Sequence, residues 1–226
     1  DKLDLAYEAY CELFPFFKPF TGRKMIILND VIDAWAYAGY PILWNSNYVK
    51  STLLEAKNYN SACFGILHEM GHNFAPGNFR DGEFAETGGN YNMWNWNEEL
   101  FANFRMYYGL YYTDHPTYIN NQTYYGKEII GMYKEQYDKS LAAGKADGGD
   151  GLMYIMCKMV DDIGWEPLKK AFKELYNLDP EICLGEKEQR WPKIENFFIV
   201  LSKHAGREDI LAEYLTPAQI NLLKTL

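Results

Sequence analysis

Residues 68–72 read His-Glu-Met-Gly-His, and this pentapeptide constrains the fold more than any other stretch. Two of the chain's four histidines stand four residues apart, with Glu69 directly after the first. On an α-helix, residues i and i+4 project from nearly the same face. His68 and His72 point together only if the stretch is helical, and residues 61–74 read as a helix. Two converging imidazoles can bind one Zn²⁺ at ~2.0–2.1 Å. Glu69, one step round the helix, can reach a water beside such an ion and take its proton. This is the chemistry behind the H-E-x-x-H pattern. The alternative is an ordinary helix carrying the pattern by chance. Gly71 argues against it, because glycine inside a helix costs about 1 kcal/mol relative to alanine. Glycine is useful where another backbone or a substrate must come close.

Catalytic zinc takes three protein ligands and keeps one position open. A third histidine in the spacing H-E-x-x-H-x-x-G-x-x-H is excluded, since Ala75 and Asn78 stand at the glycine and last histidine places. His115 and His204 have no motif around them and read as surface or hydrogen-bonded polar residues. The stretch 97–109 is helical and opens with two glutamates, Glu98 and Glu99. Glu99 and Asn103 are four apart and share a face. Glu99 is therefore the expected third ligand, with Asn103 hydrogen-bonding a ligating histidine and fixing its tautomer. Glu98 has Ala102 at that offset, which offers no such support. Glu83 and Glu86 lie in a glycine-rich loop, a poorer platform. The competing reading is that both helix-opening glutamates only favour the helix dipole.

The rest of the chain sets the frame. With 226 residues, 48% of them hydrophobic, it can bury a sizeable core. A net charge of −9 and no basic patch exclude phosphate-neutralising nucleic-acid binding. No apolar run approaches the ~20 residues of a membrane span. Cys11, Cys63, Cys157 and Cys183 form no CxxC pair, which disfavours a cysteine zinc site. Buried free thiols are expected, with one or two disulfides as the alternative. The first residue is Asp1, so the lack of a leader sequence says nothing of the compartment.

Strand signals fall early. Residues 25–28 are a short apolar run, and 38–44, Ala-Gly-Tyr-Pro-Ile-Leu-Trp, are another. Pro41 cannot donate to a central ladder, so the second run is expected to be an edge strand or no strand. Helices are expected over 125–143, 151–163, 167–176, 192–205 and 217–226, the last capped by Thr216 with Pro217 at its first position. Residues 145–151 read as a turn. The sum is a mostly helical α+β domain with a small N-terminal sheet and a C-terminal helical lobe. It is expected to be one catalytic domain, with lobes of about 1–96 and 97–226. Residues 88–97 set Tyr91, Trp94 and Trp96 among asparagines. They suit either a sugar-binding surface or core packing. Tyr107, Tyr108 and Tyr111 are candidate oxyanion donors, with core packing the competing role.

HEMGH followed by E-L-F-A-N at 99–103 resembles the M60-like, or enhancin-like, zinc metallopeptidases. AYAGYPI at 36–42, DIGWEPLKKAFKELY at 162–176 and NFFIVLSKHAGREDILAEYL at 196–215 are similar to further segments of that family. Tyr37 departs from it, standing where a histidine often precedes AGYPI. The resemblance implies a zincin-like fold of gluzincin type, with His68, His72 and Glu99 as zinc ligands and Glu69 as general base. It also implies a secreted or cell-surface endopeptidase that cuts mucin-type O-glycosylated proteins; the chain is expected to be a monomer. Two rival readings stay open. One is a glycan- or glycoprotein-binding module on the same fold, which would not require Glu69. The other is a structural zinc site, which would need a fourth protein ligand.

Overall fold

A computed structural model of the chain describes residues 2–22, 24–75, 79–80, 83–84, 93–145, 152–178 and 189–225. The chain is α+β and mostly helical, and it divides into two compact units. One holds residues 1–86 and 101–129; the other holds 87–100 and 130–226.

The first unit opens with helix α1 (Lys2–Leu13) and a three-stranded sheet of β1 (Ile27–Asp30), β2 (Ala36–Tyr37) and β3 (Ile42–Asn45). The strand order is β1-β3-β2, with β3 parallel to β1 and antiparallel to β2. The expectation of an edge strand at 38–44 is thus corrected. β3 is the central strand, and β2 lies at the edge. Pro41 lies one residue before the ladder, so its missing N–H costs the sheet no bond. The ladder begins beside it, where Ile42 N–H donates to the Ile26 carbonyl at 2.8 Å.

Helix α2 (Ser46–Asn58) follows, capped by the Asn45 side chain, then α3 (Phe64–His72). A two-stranded ribbon joins β4 (Phe79–Arg80) to β5 (Glu83–Phe84). Helix α4 (Glu98–Thr113) runs into the hairpin of β6 (Pro116–Ile119) and β7 (Gln122–Tyr125). Asn120 and Asn121 make its turn with φ of 52° and 61°. Positive φ at both central positions matches the right-handed twist of the strands. The hairpin also holds the start of α3: Ala62 N–H donates to the Pro116 carbonyl at 2.7 Å, and Tyr118 N–H donates to Ser61 Oγ at 2.8 Å.

From Phe101 to Leu110 α4 is buried, including Phe101, Ala102, Phe104, Met106 and Tyr107. Such all-round burial marks a helix at the centre of a core. α1 packs on it through Tyr10, whose ring occupies the space left by Gly109. A Cβ there would lie 2.8 Å from Cε1. Tyr10 also donates from its hydroxyl to the Leu67 carbonyl of α3 at 2.8 Å. Tyr7, Tyr10, Phe14 and Phe17 surround Phe74 just beyond α3.

The second unit contains α5 (Ile130–Ala142), α6 (Met153–Ile163), α7 (Glu166–Tyr176), α8 (Trp191–Ala205), α9 (Ile210–Tyr214) and α10 (Pro217–Leu223). α7 and α8 form its core through Phe172, Leu175, Ile194 and Phe197. Gly206 ends α8 in the left-handed conformation at φ 65°, the usual helix stop. Thr216 and Gln219 form the reciprocal capping box that starts α10. Among the described residues, no helix is long and apolar enough to cross a membrane.

Candidate metal centre

α3 divides its residues by face. Ile66, Leu67, Met70 and Gly71 are buried, while His68, Glu69 and His72 are half-buried on the other side. The Nε2 atoms of His68 and His72 lie 3.0 Å apart, with their rings nearly perpendicular. Two nitrogens on one tetrahedral zinc at ~2.0–2.1 Å would stand about 3.3 Å apart. The pair is already close to that spacing.

Asn103 sets which nitrogen is available. Its Oδ1 lies 2.9 Å from Nδ1 of His68. An amide oxygen only accepts, so Nδ1 carries the proton and Nε2 presents its lone pair. That lone pair faces Nε2 of His72. Two such lone pairs at 3.0 Å repel unless a proton or a cation lies between them. Because α4 is one continuous helix, Glu99 stands one turn ahead of Asn103 on the same face. Ligand atoms of His68, His72 and Glu99 all lie within 4.8 Å of one another. The Glu99 side chain is exposed. Glu98 instead accepts a hydrogen bond from Asn95 Nδ2. The donor set of two imidazoles and one carboxylate suits zinc and leaves a position open.

Gly71 explains its own presence in the motif. A Cβ built there would lie 2.7 Å from the Ala102 carbonyl oxygen and 3.2 Å from its Cα. α3 and α4 cross backbone to backbone at this point, and any side chain would part them. The buried Arg105 reinforces the crossing by donating from Nη1 to the Gly71 carbonyl at 3.2 Å. Its guanidinium sits over the rings of Phe14 and Phe101 at 5.9 and 6.0 Å. A cation beside the last carbonyls of a helix also complements its dipole.

Asn73, directly after the motif, carries a role that the sequence reading missed. Its buried side chain accepts from Gly39 N–H at 2.9 Å and donates to the Gly39 carbonyl at 3.1 Å. This pairing ties the loop between β2 and β3 to the end of α3. An asparagine just past a helix end was the available signal.

Other sequence candidates have other roles. Trp94 and Trp96 are buried in the second unit. Trp94 packs on Phe172, Tyr176 and Phe197, and Trp96 packs on Phe197 and Phe198. They build a core and no sugar-binding surface. Tyr107 and Tyr108 are likewise buried, while Tyr111 is exposed. His204 pairs with Glu174 at 2.8 Å. Burial lowers the pKa of His115, and its Nδ1 has no hydrogen-bond partner among the described residues. Cys11, Cys63 and Cys157 are free thiols. Desolvation pushes Cys63 up to about 11, so it is protonated and unreactive at neutral pH. Glu86, Tyr91 and Cys183 lie outside the described residues, as do residues 146–151 and the side chain of Glu83.

Comparison with protein-family models, characterised proteins and solved structures finds no match to this chain.

Proposed function

We propose that the chain is a zinc-dependent endopeptidase of gluzincin type on a zincin-like fold. The observation that carries this reading is the convergence of His68, His72 and Glu99, with Asn103 fixing the His68 tautomer and Glu69 on the same helix face. His68, His72 and Glu99 would hold the ion. When bound, zinc supplies a Lewis acid that polarises a carbonyl and lowers the pKa of water. Glu69 accepts the proton of the attacking water as the water oxygen bonds to the peptide carbonyl carbon. The C–N bond then breaks, and Glu69 returns the proton to the leaving amine. β2, at the edge of its sheet, offers main-chain groups for an extended substrate. A mucin-type glycoprotein substrate and a secreted or cell-surface location follow from the family resemblance alone.

The test compares the parent with Glu69→Ala on an O-glycosylated protein and on casein, with bound zinc measured in parallel. Zinc should be retained while cleavage falls by about 10²–10⁴-fold. Equal cleavage by both proteins would refute the mechanism. Binding of the glycoprotein without cleavage by either would favour a binding module.

A further inference from the structure

A cavity of about 350 Å³ opens beside the N-terminal half of α3. Its walls include Trp35, Phe64, Gly65 and Tyr118, with Glu55 and Asn121 at the rim. Among the described residues, no lysine, arginine or histidine lines it. The Trp35 indole packs against Gly65, where a Cβ would come within 2.2 Å of Cζ3. Trp44 backs the same indole, with ring centroids 5.7 Å apart. The half-exposed Trp35 ring is thus a fixed wall.

Gly65 stands four residues before Glu69, so both share one face of α3. At 1.5 Å per residue the cavity wall lies about 6 Å along the helix from Glu69. That distance is about two residues of extended chain at ~3.3 Å each. Trp35 also immediately precedes β2. A substrate strand running antiparallel to β2 has its carboxyl side at the Trp35 end.

We propose that this cavity is a substrate subsite for the first or second residue on the carboxyl side of the scissile bond, selecting an aromatic side chain and rejecting carboxylates. The inference rests on the peptidase reading. Trp35, Phe64 and Tyr118 supply ring faces and edges for aromatic packing. Glu55, with no cation to balance it in the lining, repels an acidic residue.

The test digests a defined mixture of synthetic peptides and sequences the products by mass spectrometry. The parent should enrich Phe, Tyr and Trp and deplete Asp and Glu at one of those two positions. Trp35→Ala should flatten the aromatic preference roughly five- to ten-fold, and Trp35→Phe should largely restore it. Glu55→Lys, an exposed change on α2, should admit acidic residues. Profiles unaltered by both Trp35→Ala and Glu55→Lys would overturn the proposal. If the parent cleaves none of these peptides, fluorescence anisotropy still reads the subsite. Glu69→Ala protein should bind a Phe-containing peptide at least five-fold more tightly than its Asp counterpart. Trp35→Ala, made in that background, should erase the difference. Equal binding of the two peptides would overturn the subsite separately.

Discussion

Replacing Gly71 with alanine sets two effects against each other. A free helix would gain about 1 kcal/mol from the change. Here the new methyl would lie 2.7 Å from the Ala102 carbonyl oxygen, against an ordinary carbon–oxygen contact of ~3.3 Å or more. The obstacle is backbone, so relief requires α3 and α4 to part by about 0.6 Å. Overpacking of this kind costs ~1–3 kcal/mol, which offsets or exceeds the helical gain. The sharper consequence falls on the candidate metal centre. Parting the helices lengthens the 2.9 Å contact between His68 Nδ1 and Asn103 Oδ1 to about 3.5 Å, beyond hydrogen-bond range. Losing such an outer partner typically weakens metal binding 10–100-fold. Zinc affinity, measured by competition with a chromophoric chelator, should fall by that factor, while the melting temperature stays level or drops. A variant that melts higher and binds zinc as tightly as the parent would refute the close-approach argument.

Glu99→Ala should weaken zinc binding by on the order of 100-fold or more, while Glu98→Ala should not, because Asn95 already engages Glu98; the same chelator competition checks it, and the reverse result would move the ligand by one residue. Asn73→Ala leaves the buried Gly39 N–H and carbonyl without their partner, so it should destabilise by about 2–3 kcal/mol in chemical denaturation; a loss below about 0.5 kcal/mol would refute the clamp. Lys203, then His204, hold the Glu174 carboxyl below its usual pKa. A depressed folded value gives stability that is present above the unfolded pKa of ~4.3 and lost as pH falls through the folded one. Glu174 is more than a third exposed, so solvent screens the pair and Glu174→Gln should cost under about 1 kcal/mol at pH 7. The difference in melting temperature from the parent should shrink and close as pH falls through the depressed folded pKa; a difference that holds its pH 7 size across the whole acid range would contradict the linkage.

The two residue pairs of the candidate site were legible because helical spacing sets each of them. His68 and His72 are four apart, Glu99 and Asn103 are four apart, and the structure adds only how α3 and α4 cross. Gly71 hinted at that crossing, but its partner Ala102 is a matter of tertiary packing. The start of α10 was equally readable, since Thr216, Pro217 and Gln219 form a local cap. Elsewhere local rules gave way. Pro41 lies inside the apolar window 38–44 but outside the strand, so the proline rule placed a central strand at the edge. Helix α2 has no buried residue, and its Leu53 and Leu54 stay exposed, so its apolar residues mark no core-facing side. Trp94 and Trp96 could be surface or core until α7 and α8 were placed around them. The hairpin of β6 and β7 did carry a local signal, the Asn120-Asn121 pair at its turn.

The most direct test of the account is zinc K-edge X-ray absorption on the zinc-loaded chain, with metal content measured alongside. One ion per chain is predicted, in a shell of light donors with nitrogens at ~2.0–2.1 Å and no sulfur at ~2.3 Å. His68→Ala or His72→Ala should abolish tight binding. A sulfur shell, or zinc held as tightly by the histidine variants as by the parent, would contradict the account.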